Sequence, residues 1–130
     1  MRNIVKLLII LSILLYSCAN KNSVEDISKY KGTYRGSVNT TPASERQLIV
    51  NTATVKVDEN SSINVLLEGG NIYDKNVDIT KEELTKVNDN SYSAKKDGKN
   101  YTFTFYNDYM NLNIYNTDNN ITDGQLPKVQ

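Results

Sequence analysis

The chain has 130 residues, with 15 basic and 15 acidic side chains, nine Tyr, one Cys, and neither His nor Trp. That length suits one domain. A single Cys excludes an intrachain disulfide. The missing His removes Ser-His-Asp and Cys-His catalysis and the usual Cys/His zinc site. Balanced charge leaves no basic footprint, so no nucleic-acid partner is expected.

Residues 1–17 stand apart from the rest. Arg2 and Lys6 supply a short basic start, and Leu7 to Tyr16 is a nearly unbroken apolar run. Ten such residues fall short of the roughly 20 needed to cross a bilayer, and they fit the apolar region of a signal peptide. Leu15-Tyr16-Ser17-Cys18 follows where that run ends. It resembles the bacterial lipobox: an aliphatic residue, a variable one, a small one, then Cys. In bacterial lipoproteins that Cys receives a diacylglycerol, the signal is cut before it, and the new N-terminus is acylated. The resemblance therefore implies a covalent lipid at Cys18, including an N-acyl chain such as palmitate, and no other cofactor. Several acyl chains hold a protein at a membrane essentially permanently, because each buried methylene contributes about 0.8 kcal/mol. Loss of 1–17 leaves 13 basic against 15 acidic residues. Residues 18–29 read as the lipidated cysteine and a flexible tether. Ala19 rather than Asp after Cys18 favours the outer membrane or cell surface over the inner membrane, if the sorting rule of enteric bacteria applies.

From Tyr30 the sequence alternates at the strand period, and turn residues break it at short intervals. Strands are expected over Thr33–Val38, Gln47–Val57, Ser62–Glu68 and Ile72–Ile79, with Gly69-Gly70 as a strong break. Thr80-Lys81-Glu82-Glu83 has the spacing of a capping box, so Thr80–Val87 reads either as one helical turn or as a short strand, with the strand favoured. Ser91–Lys96 and Lys99–Tyr106 flank Asp97-Gly98, a strong two-residue hairpin signal. Tyr101, Phe103 and Phe105 share one face of the second strand. Tyr109–Tyr115 then places Met110, Leu112 and Ile114 inward, with Tyr109 and Tyr115 outward. Residues 117–130 are polar and read as a loose tail.

The expectation is an all-β domain over 30–116: a small antiparallel up-and-down β-barrel of about eight strands, with a small β-sandwich as the alternative. Gly32-Thr33-Tyr34-Arg35-Gly36 opens the first strand. It resembles the start of calycin-like barrels, the lipocalin and fatty-acid-binding group, where a Gly-x-aromatic step begins the first strand. The resemblance implies that Gly32 turns the chain into the barrel floor and that Tyr34 plugs that end. Lipocalins use Trp where this chain has Tyr34, and they lay an Arg from the last strand across it. Tyr109–Tyr115, the last strand read here, holds no Arg.

An eight-stranded barrel is just wide enough for its own side chains or one small ligand. A packed core is favoured; a cavity would be lined by Tyr34, Tyr101, Phe103 and Phe105 and would suit an apolar ligand. Tyr106, Tyr109 and Tyr115 are candidates for surface recognition, since exposed Tyr gives large contact area at low entropic cost. Asp58-Glu59, Asp74 and Glu82-Glu83 lie in polar segments that solvate carboxylates. Asp118–Gly124 partly resembles a calcium loop but lacks the closing Glu, so no metal site is expected. Lys95, Lys96 and Lys99 form a basic hairpin tip. Together these features point to a non-enzymatic, lipid-anchored envelope protein. Its partners would be the membrane, through the anchor, and a protein, glycan or small apolar ligand. The alternative is an inhibitor of a host or envelope enzyme, similar to small lipoprotein lysozyme inhibitors; those typically carry a disulfide.

Overall fold

The computed structural model describes residues 27–41, 49–69, 75–116 and 121–130. Cys18, the lipobox and Asp74 lie outside the described residues. The strands are β1 (Gly32–Thr41), β2 (Ile49–Val57), β3 (Ile63–Glu68), β4 (Lys75–Ile79), β5 (Thr85–Asn88), β6 (Ser91–Lys96), β7 (Lys99–Phe105), β8 (Tyr109–Asn116) and β9 (Ile121–Pro127). Two 3-10 turns, Ser28–Tyr30 and Lys81–Glu83, complete the described elements. The fold is all-β, a single curled half-barrel sheet.

Sheet order is β4-β3-β2-β1-β9-β8-β7-β6-β5, and every ladder is antiparallel. Direction therefore flips at each of eight ladders between one edge and the other, so β4 and β5 run the same way. The chain passes through Lys81–Glu83 without reversing. β4 and β5 stand at the two edges of the sheet, the first bonded to β3 and the second to β6. Both readings of 80–87 survive in part: the 3-10 turn occupies 81–83, and a strand follows from Thr85.

The period-2 pattern sets the layers. Val38, Ala53, Val55, Val57, Ile63, Val65, Leu67, Val77 and Ile79 face inward from β1–β4, and Tyr92, Ala94, Tyr101, Phe103, Phe105, Met110, Leu112 and Ile114 from β6–β8; all belong to one core. Burying each large side chain contributes about 1.5–3 kcal/mol. Only Asp97-Gly98 closes β6–β7, and both residues take positive φ (52° and 76°), as a type I′ turn requires.

The tail expected over 117–130 is corrected. Ile121–Pro127 is β9, bonded along its length to β8 and at Asn39–Thr41 to β1. Its inward positions are Thr122, Gly124 and Leu126, of which only Leu126 is strongly apolar, so the strand carries little alternation. Gly124 allows the close approach: a Cβ there would lie 2.6 Å from the Ser37 carbonyl oxygen and 2.7 Å from Val38 Cγ1. The tether boundary at residue 29 shifts as well. Ile27 is fully buried and its N–H donates to Ser61 Oγ at 3.0 Å.

That entry segment covers one end of the barrel. Tyr30 stacks on Phe105 with centroids 4.5 Å apart, meets Tyr92 edge-on at 6.4 Å, and its hydroxyl donates to Asp89 O. Tyr34 lies against Phe105 and donates its hydroxyl to Tyr30 O at 2.7 Å. This end, the floor, also holds the β2–β3, β5–β6 and β7–β8 turns. The β6–β7 hairpin points the opposite way.

Candidate functional site

The strand register assembles a groove on the outer face of β5–β8. Lys95, Asn100 and Tyr115 sit opposite one another in one cross-strand row. Thr85, Ser93 and Thr102 make the next row. Ala94 and Tyr101 lie between the two rows, and Glu83 closes the side toward Lys81–Glu83. These nine residues line an open cavity of about 440 Å³. A second concavity of about 270 Å³ adjoins it at the hairpin tip, sharing Lys95 and Asn100 and lined further by Lys96 to Lys99.

Glu83 anchors the groove's charge pattern. Its carboxylate accepts from Lys96 Nζ at 2.9 Å, and from the Thr80 N–H and hydroxyl, both at 3.1 Å. The Lys96 hydrogen bond, with help from Thr80, holds its pKa below the usual Glu value. Lys96 faces inward along β6, so this pair is half-buried at the groove's edge. Lys95 alternates outward and is exposed on the rim. Burial, with the Asp97 charge second, raises the Tyr101 phenol's pKa. That hydroxyl is neutral across the ordinary pH range.

The four aromatic residues considered as cavity lining are buried. Tyr34, Tyr101, Phe103 and Phe105 are each at most 2% exposed. Tyr34 and Phe105 belong to the floor cluster, while Tyr101 and Phe103 lie parallel at 6.3 Å. Of the four, Tyr101 alone lines the groove. The surface tyrosines divide between the two ends. Tyr106 and Tyr109 stack at 4.5 Å beside the β7–β8 turn at the floor. Tyr115, 46% exposed, stands at the groove.

The other candidates resolve into local structure. Asp58 Oδ1 accepts from the N–H groups of Asn60 and Ser62, which fixes the β2–β3 turn. Glu59 pairs with Lys31 at 2.6 Å in the open, and that contact holds its pKa down. The calcium-loop reading of Asp118–Gly124 fails over 121–124, which is β9; residues 118–120 lie outside the described part.

Sequence reasoning missed two features. The groove's hydroxyl and amide side chains lie on three different strands; pairing Lys95 with Asn100 and Tyr115 across the Asp97-Gly98 hairpin is the signal that locates them. The second is a polar patch inside the sheet. Thr40 and Thr122 hydroxyls lie 2.8 Å apart, Asn51 Nδ2 donates to Thr40 at 3.2 Å, and Asn51 Oδ1 is buried with no hydrogen-bond partner among the described residues. No protein-family model matches the chain, and neither a curated protein nor a solved structure matches it.

Proposed function

We propose that this chain is a lipid-anchored lipoprotein of the bacterial envelope, whose small calycin-like domain works by binding rather than by catalysis. The reading rests chiefly on where the chain enters the fold. Downstream of Cys18, the first described segment, from Ile27 to Tyr30, crosses the floor, while the groove and the β6–β7 hairpin stand toward the other end. A lipid on Cys18 would set the floor toward the membrane and present the groove outward, as a capture module at the outer membrane or cell surface needs.

The calycin-like reading gains support from the last strand. That strand is β9, and Lys128, just beyond it, places Nζ 5.7 Å from the Tyr34 ring centroid. A cation from the end of the last strand over the first-strand aromatic parallels the lipocalin arrangement, with Lys and Tyr in place of Arg and Trp. Gly32, at φ +147°, starts β1 beside it.

Metabolic labelling with a fatty acid tests the anchor. Wild-type protein should take up the label and sediment with membranes. Cys18→Ala should take up none and remain uncut or become soluble. Wild-type processing and membrane retention in Cys18→Ala would overturn the proposal.

A further inference from the structure

We infer that the outer groove of β5–β8 is a saccharide site, taking an oligosaccharide that bears a carboxylate. The inference rests on the binding role proposed above and names the ligand class of that groove.

The groove's chemistry is two-way. The hydroxyls of Thr85, Ser93 and Thr102 and the amide of Asn100 each donate and accept hydrogen bonds. Sugar hydroxyls have the same dual capacity, so many pairings satisfy both sides. An apolar ligand would leave those four groups unpaired, and that desolvation is costly. Tyr115 adds what a sugar ring needs besides hydrogen bonds. Its half-exposed ring offers a face of negative quadrupole to the C–H bonds on one side of a pyranose. Tyr115 lies in the same row as Asn100, so a ring stacked on it would have an amide within the row.

The charge pattern selects the acidic member of the class. Glu83 is occupied by Lys96 and Thr80, which leaves Lys95 as the rim cation with no ion pair among the described residues. A carboxylate beside Tyr115 would face it along the row. The volume of about 440 Å³ falls within the roughly 300–1,000 Å³ of small-molecule sites. An extended peptide fits less well: β5, the free edge beside the groove, has four residues and a register irregularity between Lys86 and Asn88. A strand partner would gain few ladder bonds there.

The chain has no Trp, so Tyr115→Trp installs a single emitter at the groove. The full-length protein, extracted in mild detergent, is titrated with trigalacturonate and with neutral maltotriose, by calorimetry and by the emission of the Tyr115→Trp variant. Trigalacturonate should release or absorb heat with the wild type and shift the variant's emission. Lys95→Gln should weaken it about fivefold, to the maltotriose level, as the loss of one exposed charge pair implies. Added salt should act the same way, and Thr102→Val should weaken both sugars. Circular dichroism confirms that each variant keeps its β spectrum.

No heat and no emission change at millimolar sugar, in folded protein, overturns the inference. So does binding that Lys95→Gln and Thr102→Val leave untouched, or emission that answers an extended peptide and neither sugar. Trigalacturonate recovered shortened would sink the non-enzymatic reading while the site stands. Acylated Cys18 with no sugar binding would sink the site while the anchor stands.

Discussion

Gly36 and Gly124 show how single positions decide whether β1 can lie against β9. A Cβ on Gly36 would come within 3.0 Å of the Gln125 carbonyl oxygen. At Gly124 the obstacles are tighter and two of them are backbone: the Ser37 oxygen at 2.6 Å and the Val38 Cα at 3.0 Å. Backbone within a ladder cannot step aside as a flexible side chain does. Gly124→Ala should therefore destabilise the protein by about 1–3 kcal/mol, the usual range for overpacking. Gly98 makes the useful contrast, because a Cβ there meets nothing within 4 Å. Its φ of 76° is the whole difficulty, so Gly98→Asn, which tolerates the left-handed region, should cost well under 1 kcal/mol. Urea unfolding of the two variants checks the order, and an equal loss in both would refute the close-approach argument.

At the scale of elements, the sequence was legible where alternation is strongly apolar and silent where it is not. β3, β7 and β8 carry unbroken inward apolar series, β2 carries one from Ala53 onward after the buried Asn51, and the expected spans of all four match the observed ones to within two residues. β9 escaped because two of its three inward positions are not apolar at all. Thr122 bonds to Thr40, and Gly124 gives its space to Val38. The groove was hidden for a related reason: its side chains look solvated one strand at a time and converge only through register. Lys81–Glu83 is an intermediate case, because its signal was local. Glu83 accepts the Thr80 N–H as capping-box spacing suggests, but it also reaches Lys96, 13 residues on, which no local pattern contains. That pair makes the turn sensitive to pH. The folded state lowers the Glu83 pKa from 4.5, so the stability it adds is present above that value and drains as pH falls through the lower folded one. Glu83→Gln should thus be less stable than wild type near neutrality and show a shallower fall in acid. Thermal unfolding from pH 7 to pH 3 measures this, and parallel curves for the two proteins would count against it.

Over the whole molecule, one closed feature and one open one divide the labour. The floor is closed by the buried Ile27 and by Tyr30 and Tyr34 packed on Phe105, with Val129 N–H donating to Thr33 O and Lys128 N–H to Asp108 O. Both ends of the described chain are therefore fastened at the floor, on either side of β1. The open feature is the seam between β4 and β5, which no ladder joins. Each strand there is bonded on one side, and only Thr80–Leu84 connects them, with Leu84 reaching the core. Edge strands of five and four residues have few bonds to lose, whereas β1, β8 and β9 are bonded on both sides. Local opening should begin at the seam, since regions with fewer backbone bonds and buried contacts open below the global free energy. Amide hydrogen exchange should find β4 and β5 the least protected strands. Amides of Leu112, Ile114 and Val55, central in the sheet and facing the core, should exchange only with global unfolding. A β5 protected as strongly as β8 would mean that the seam is bridged and that the half-barrel behaves as a closed one. The groove lies on the β5 side of that seam, so a ligand spanning Thr85 to Tyr115 should slow exchange in β5 first.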